Sequence, residues 1–311
     1  MLKILEVTAP IYLLIALGFV AVHRRWMDAT DIRPLGRFVA WFGLPALLFR
    51  AIASQPLSTI LDLRYLVVYA AGSVASMLAI RFVARSLRHR SSALASLEGL
   101  ASSASNSAFV GYPIILQVVG PAAGTALGLG ALVENVLMIP LGLALANAKP
   151  GETSRMWRSQ TGTALRGLLR NPMFGGIVLG VFAASLQLKP PLAIDRALAL
   201  LAGGASSASL FVIGASLVGI RLVGIRRDIA LVTAGKLCLH PACVALCVLL
   251  LPPNAPALRA SAILYAAMPM LGILPILAQP HREEAFAAAA MLTAIVASFF
   301  TIGVVIGLVP A

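Results

Sequence analysis

The chain has 311 residues, of which 60% are hydrophobic and only 11% are charged, and its mean hydropathy is +0.95. Soluble domains are typically about 45–50% apolar and about 25% charged, so this chain has too little polar surface for a water-soluble globule. The net charge of +13 does not indicate nucleic acid, because the basic residues lie in short connections between apolar runs. The composition therefore predicts a protein embedded in a bilayer.

Ten apolar segments are long enough to cross a membrane, which takes about 20 mainly apolar residues. In chain order they are 4–22, 34–53, 63–84, 94–118, 122–146, 165–187, 195–220, 228–251, 257–278 and 284–308. The first is followed by His23, Arg24 and Arg25 and not by a small-residue cleavage site, so we predict a retained span and not a signal peptide. The predicted fold class is an all-α polytopic membrane protein with ten transmembrane helices.

Positive charge predicts the orientation of these spans, because cytoplasmic connections carry an excess of Lys and Arg. The odd-numbered connections carry 17 Lys and Arg residues, whereas the N-terminus and the even-numbered connections carry five. We therefore expect the odd-numbered connections to face the cytoplasm of a cell inner membrane and both termini to face the periplasm. The longest connection, the basic loop 147–164, is then cytoplasmic.

Five spans precede that loop and five follow it, so the second set enters the membrane from the opposite side. This predicts two inverted five-helix repeats, 1–146 and 165–311. Transporters built in this way bind their substrate near mid-membrane on broken helices. The fourth and ninth spans hold corresponding places in the two halves, and both are interrupted, at Pro113 and at Pro269 with Pro275.

The stretch "SSASNSAFVGYP", residues 102–113, places polar side chains and a helix breaker inside the fourth span. Pro113 has no N–H, and Gly111 lets the backbone unwind, so freed carbonyls must find partners in protein, water or ligand. A half-helix that begins near Pro113 would point a partly positive N-terminus inward, which favours an anion. No acidic residue lies within either interruption. The alternative is a proline kink with serines at a close helix contact.

Three ionisable residues lie deep in the spans, where a charge is costly and usually functional. Glu134 lies near the middle of the fifth span, and Lys236 and His240 are four residues apart on one face of the eighth. Glu134 or His240 could carry a coupled proton, since imidazole titrates at about pH 6.5 when unperturbed. The alternatives are a buried structural pair, or a Lys236 side chain that snorkels to the cytoplasm.

The sequence says less about the role of the other polar residues in the spans. Glu98 lies nearer the cytoplasmic end of the fourth span, and Arg50 is expected to snorkel outward or to contact substrate. The three cysteines, Cys238, Cys243 and Cys247, have spacings that form neither a CxxC pair nor a zinc site, and we interpret them as small apolar side chains. No cofactor and no metal site are predicted; proton coupling is expected ahead of sodium coupling.

Several motifs, in this order, resemble those of the auxin efflux carrier family, which includes plant auxin carriers and bacterial carboxylate transporters. They are "FGLPALLF" (42–49), "NSAFVGYP" (106–113), "NPMFGGIVLG" (171–180), "SLFVIGASL" (209–217), "GKLCLHP" (235–241) and "AAMP" with "GILP" (266–275). The resemblance covers nearly the whole chain. It implies ten helices in two inverted repeats, with the fourth and ninth crossing at unwound prolines, similar to the bile acid symporter and NhaA folds.

The resemblance also implies which residues bind substrate and how the carrier works. The implied substrate contacts are Ser105, Asn106, Ser107, Gly111, Pro113, Pro269, Gly272 and Pro275, with either Pro269 or Pro275 at the crossing. The last two spans are similar to the malonate-transporter branch, so we expect a small mono- or dicarboxylate carried by alternating access of the elevator kind. The expected partners are this anion, the bilayer and a second copy in a homodimer.

Other classes of protein fit the sequence less well. Two alternatives stay open: a sodium-coupled carrier like the bile acid symporters, and an anion channel. Both would also need polar residues along a path through the membrane. An enzyme is not expected, because the chain has no GxSxG and no HExxH, and His240 has no obvious serine partner in the sequence. A receptor or a structural membrane protein would not need two matched broken spans.

Overall fold

The computed structural model describes residues 2–55, 62–147, 170–188, 190–219 and 226–309. Within these ranges every regular element is helical, and extended pairing is limited to one isolated antiparallel bridge, between Ser105 and Met270. The expected all-helical class is therefore confirmed for the described part of the chain. Apart from Asn147, the predicted loop 147–164 lies outside the described residues.

Helices lie in the described part of each predicted span, and the fourth and ninth spans are each divided in two. The bounds are α1 Leu2–His23, α2 29–53, α3 Leu63–Leu87, α4 Ser92–Ala101, α5 Ser107–Val119, α6 Ala122–Asn147, α7 Pro172–Ser185, α8 Leu192–Ser216, α9 226–250, α10 Pro256–Ala267, α11 Leu274–Ala278 and α12 Glu284–Leu308. Six of them, α2, α3, α6, α8, α9 and α12, are long and apolar enough to cross a membrane. The chain is a multi-pass membrane protein.

Most of the prolines inside these helices follow a π turn and do not break the helix. The π turns Val39–Gly43, Ser107–Gly111, Val133–Met138 and Gly235–Leu239 each end two residues before a proline, at positions 45, 113, 140 and 241. Proline lacks an N–H and its ring clashes with the carbonyl four residues earlier, and a wider turn accommodates both defects. The α-helical part of α5 begins at Tyr112, near Pro113 as expected, but the π turn Ser107–Gly111 extends the half-helix backwards, so the interruption itself lies earlier, at residues 102–106.

The helices pack as two groups. In the first helix group, α1 packs on α8, and α7 packs on α2. The contacts are close because they are made at glycine: a Cβ at Gly214 would lie 1.8 Å from the carbonyl oxygen of Ile15, and one at Gly176 2.5 Å from that of Pro45. The second helix group comprises α3 to α6 and α9 to α12, with α9 packed on α3, α4 between α3 and α6, and α12 along α11.

The two interruptions, between α4 and α5 and between α10 and α11, lie side by side. The N–H of Asn106 donates to the carbonyl of Pro269 over 2.8 Å, and the N–H of Leu271 donates to the carbonyl of Ala104 over 3.0 Å. Backbone groups freed by one interruption are thus satisfied by the other, as a low-dielectric environment requires. Pro269 lies within this pairing, whereas Pro275 lies in the first turn of α11.

Candidate functional site

The serines of the fourth-span interruption divide into two sets with different partners. Ser102 and Ser103 donate through their hydroxyls to the carbonyl of Gly99, over 2.8 Å and 2.9 Å, and so complete the C-terminal end of α4. Ser105 and Ser107 instead bond to side chains from other helices. The structure therefore assigns the first two serines to the helix end and the second two to a buried polar cluster.

Glu134, from the π turn of α6, reaches the interruption and is 4% exposed. One of its carboxyl oxygens accepts hydrogen bonds from the N–H of Ser105 over 3.1 Å, the hydroxyl of Ser107 over 3.0 Å and the hydroxyl of Tyr69 over 3.1 Å. The sequence shows no acid within either interruption, but an acid from another helix lies against the first. Three donors on one oxygen hold this carboxyl group in a fixed position.

Lys236 is fully buried in the same cluster, in the π turn of α9. Its ammonium donates to the hydroxyl oxygen of Ser105 over 2.9 Å, to the carbonyl of Ala266 over 2.6 Å and to Nδ1 of His240 at 2.9 Å. The alternative that Lys236 snorkels to the cytoplasm is wrong. Lys236 and His240 lie on the same face of α9, as predicted, and their side-chain nitrogens are within hydrogen-bond distance of each other.

Two residues that the sequence analysis missed complete the cluster from α3. The hydroxyl of Ser73 lies 2.8 Å from Nε2 of His240, so the histidine does have a serine partner, contrary to the expectation. Tyr69, four residues earlier, bonds to Glu134. The spacing of Tyr65, Tyr69 and Ser73 at every fourth residue places polar atoms on one face of an otherwise apolar helix, and that periodicity was the available signal.

A cavity of about 310 Å³ opens beside the cluster and lies between the two helix groups. Asn106, Ser107, Glu134 and Gly272 are among its lining residues, and a Cβ at Gly272 would lie 3.2 Å from the amide nitrogen of Asn106. The side chain of Asn106 is only 7% exposed, so a ligand in this cavity would displace little bulk water from it. The cavity is small and mainly apolar, with a few polar side chains in its lining, as small-molecule sites are.

The expected substrate contacts fall into two sets. Ser105, Asn106, Ser107 and Gly272 line the cavity, whereas Gly111, Pro113, Pro269 and Pro275 are absent from its lining among the described residues. A Cβ at Gly111 would lie 3.0 Å from ring atoms of Tyr265, so this glycine permits close packing of α5 on α10. Pro269 lies in the pairing of the interruptions, and Gly111, Pro113 and Pro275 lie in the helices that follow them, while the polar residues and Gly272 line the cavity.

A second cavity, of about 1340 Å³, lies at the opposite ends of α7 and α8. Arg50 and Asp195 line it and form an ion pair with 3.0 Å between Nε and Oδ1, and both side chains are partly exposed. Arg50 therefore links α2 to α8 at the mouth of this cavity. The smaller cavity borders the paired interruptions, whereas the larger one reaches α5 farther along, at Tyr112 and Leu116.

The other polar groups singled out in the sequence lie away from this site. Glu98 on α4 is buried, and neither carboxyl oxygen has a hydrogen-bond partner among the described residues. Near it, Asp228 of α9 forms ion pairs with Arg88 and Arg90, which precede α4. The three cysteines lie along α9 as free thiols.

Comparison with known proteins extends over nearly the whole chain. The profile of a family described as "Membrane transport protein" matches residues 3–306. A protein of Rhizobium meliloti (strain 1021), described as "Putative malonate transporter", is 25% identical over 269 residues, which cover 86% of this chain and 84% of that protein. The "Uncharacterized transporter YfdV" of Escherichia coli (strain K12) is 24% identical over 211 residues, 67% of each chain.

Proposed function

The chain belongs to the membrane transport protein family, and from that premise we propose that it is a secondary active transporter that moves a small organic anion by alternating access. The predicted membership of the auxin efflux carrier family, with its malonate-transporter branch, is confirmed by the family match and the first relative. The chain is thus a membrane transporter and not an enzyme. Its substrate and its mechanism are what we propose.

The observation that carries the proposal is the pairing of two interrupted helices beside a small cavity, to which they contribute Asn106 and Gly272. Asn106 and Leu271 donate the backbone hydrogen bonds that join the interruptions, and Asn106 also lines the cavity. The smaller cavity borders the start of α5 and the larger one its later residues Tyr112 and Leu116. Two cavities between the helix groups, one at each end of this half-helix, suit a carrier that exposes one site alternately to each side. Motion of the second helix group against the first would be an elevator-like exchange.

Matched packing supports the proposal of two inverted repeats, 1–146 and 165–311. The contact of α1 with α8 has a counterpart in the contact of α7 with α2, as a two-fold relation between the halves requires. Likewise α3 packs on α4 as α9 packs on α10. We propose ten spans in all, with the fourth and ninth crossing at their interruptions. We also propose a homodimer in the cell inner membrane, with periplasmic termini and a cytoplasmic loop 147–164.

The chemistry beside the cavity favours an anion. The N–H groups of Ser107, Ala108 and Phe109 open α5 and have no acceptor among the described residues, and the helix end carries a partial positive charge. The side-chain amide of Asn106 adds further donors. The negative charge of Glu134 does not oppose this, because the ammonium of Lys236 lies on the far side of Ser105 and balances it.

The proposed substrate is a mono- or dicarboxylate, with malonate as the first compound to test, because the printed description of the Rhizobium meliloti relative names malonate. The cavity of about 310 Å³ is large enough for a short dicarboxylate and small for a steroid-like acid. This argues for a compact anion over the larger substrates of the bile-acid-symporter-like alternative.

Counterflow in proteoliposomes tests the proposal. Vesicles loaded with unlabelled malonate should accumulate labelled malonate transiently, and protein-free vesicles should not. Unlabelled malonate, malate and indole acetate are then compared as competitors with malonamide, which matches malonate in size but has no charge. The acids should compete and the amide should not. Uptake without counterflow would indicate the anion channel, and equal competition by malonamide would contradict an anion site.

A further inference from the structure

The ammonium of Lys236 is surrounded by hydrogen-bond acceptors, as a bound cation would be. Its three N–H donors meet three acceptors from three places in the fold: a hydroxyl of the fourth-span interruption, a backbone carbonyl of α10 and a ring nitrogen on its own helix. An ammonium has three donors and no acceptor, so this set satisfies it completely. The side chain is fully buried, so the charge is enclosed by protein.

The carbonyl acceptor belongs to the end of a half-helix. Ala266 is the penultimate residue of α10, which ends at Ala267 immediately before the interruption. The last carbonyls of a helix carry a partial negative charge and lack partners within the helix. In transporters with broken helices, such carbonyls and half-helix ends coordinate the coupling sodium or proton. Here the distance of 2.6 Å from Lys236 to Ala266 shows that a side-chain cation holds this position.

The same ammonium also neutralises the acid at the interruption. Glu134 accepts from the N–H of Ser105, and Lys236 donates to the hydroxyl of that same serine, so one residue separates the two charges. A buried charge without a partner costs several kcal/mol, so either charge alone would need a replacement counter-ion. A cation supplied by the protein removes the need for one from solution.

We propose that Lys236 is the resident cation of the crossing and takes the place that a coupling sodium ion would otherwise occupy, so that substrate movement is independent of sodium. The inference deepens the proposed function and rests on it for the role of the crossing as the substrate site. Occupation of the cation position is a property of the protein alone, however, and can be measured without any substrate.

Thermal unfolding of the purified protein tests the cation position directly. The wild type should melt at the same temperature in sodium chloride, methylammonium chloride and choline chloride at equal ionic strength. Lys236→Ala empties the position and leaves Ser105, Ala266 and His240 facing it, so methylammonium or sodium should raise its melting temperature by at least about 2 °C over choline. A shift by sodium over choline in the wild type would overturn the inference, as would a folded Lys236→Ala protein that responds to neither cation.

A matched control shows whether the response to added cations is specific to Lys236 or follows the removal of any positively charged side chain from a helix. Arg81 of α3 is partly buried and bonds through Nε to Ser96 over 3.0 Å, away from the interruption. Arg81→Ala should show no response to methylammonium or sodium beyond that of the wild type. If Lys236→Ala does not fold, Lys236→Ser leaves the position open and uncharged, and sodium and methylammonium are tested on it in the same way. An equal response in Arg81→Ala would overturn the assignment.

Transport then tests the consequence. Malonate counterflow by the wild type should change less than about twofold when choline replaces sodium on both sides, since sodium is not part of the cycle. A tenfold or greater fall would overturn the inference while leaving the carrier proposal intact. Absence of counterflow in either salt would instead count against the proposed substrate, and the melting temperatures would still decide whether Lys236 is the resident cation.

Discussion

Ser105 is the residue at which the backbone and the side-chain networks of the site meet. Its N–H donates to Glu134, its hydroxyl accepts from Lys236, and it pairs with Met270 in the bridge between the interruptions. A displacement of either charged side chain therefore acts on the same unwound backbone that borders the cavity. Protonation of a charged side chain, or substrate binding beside it, can therefore change the backbone geometry where the two interruptions meet.

At this scale, Asn106 is predicted to bind substrate through its side-chain amide. Asn106→Ala should weaken malonate binding by about 10–100-fold, which corresponds to about 1–3 kcal/mol for an unpaired polar partner. The backbone N–H of residue 106 would still donate to Pro269, so the fold should persist. Calorimetric titration with malonate measures the change. Asn147→Ala, at the exposed end of α6, is the matched control, and unchanged affinity in a folded Asn106→Ala protein would remove this amide from the site.

Glu134 is predicted to carry the coupled proton. Glu134→Gln keeps the shape of the side chain and an oxygen that can accept from Ser105, Ser107 and Tyr69, but it has no ionisable group. Uptake of labelled malonate should then no longer respond to a pH gradient, while exchange of malonate for malonate continues. Glu98→Gln, which changes another buried acid outside the cluster, should retain the response. A pH response that survives in Glu134→Gln would assign the proton to another group.

Part of this site could be predicted from single residues and their spacing. The separation of Lys236 and His240 predicted one helical face, and the depth of Glu134 predicted a buried acid. The contact between Ser73 and His240 could not be predicted, because it joins residues 167 positions apart through the packing of α9 on α3. The local sequence pattern predicts which face of a helix a residue lies on, but the residues that this face contacts depend on tertiary packing.

At the scale of elements, the glycines of the first helix group set how closely its helices approach. Gly214→Ala would place a Cβ 1.8 Å from the carbonyl oxygen of Ile15, and because that atom is backbone, α1 and α8 must move apart. We expect a destabilisation of about 1–3 kcal/mol, as for overpacked cores. Gly203→Ala, on the same helix with nothing within 4 Å, is the control and should be neutral or slightly stabilising. Thermal unfolding in detergent compares the two, and equal melting temperatures would contradict the close contact.

The elements also show where proline is a misleading signal. Pro113 and Pro275 suggested where the fourth and ninth spans break, yet both lie in helices that follow the interruptions. Pro113 follows the π turn that opens α5, and Pro275 lies in the first turn of α11. The interruption itself is made by residues 102–106, whose first two serines bond to the carbonyl of Gly99 and whose backbone pairs with the other half of the chain. The existence of the break was predictable from composition, whereas its position depended on a partner more than 160 residues away.

At the scale of the whole molecule, the proposed orientation gives a prediction about accessibility. With the native cysteines Cys238, Cys243 and Cys247 replaced by alanine, Asn147→Cys should react with an impermeant thiol reagent only from the cytoplasmic side, and Asn254→Cys only from outside. Both positions are exposed at helix ends. Labelling of intact cells and of inverted vesicles measures the two sides. Reaction of Asn147→Cys in intact cells would reverse the orientation, and reaction of both positions from one side would contradict the span count.

The paired interruptions have a consequence for the synthesis of the protein. The carbonyl of Ala104 and the N–H of Asn106 find their partners at Leu271 and Pro269, so the first interruption stays incomplete until the ribosome has added some 160 further residues. At about 5–20 residues per second this takes roughly 10–30 s. Throughout that interval the nascent first half must stay in the membrane with unpaired backbone groups, shielded by water, lipid headgroups or the insertion machinery. A late step of biogenesis is therefore the closing of the same short pairing that later borders the substrate cavity.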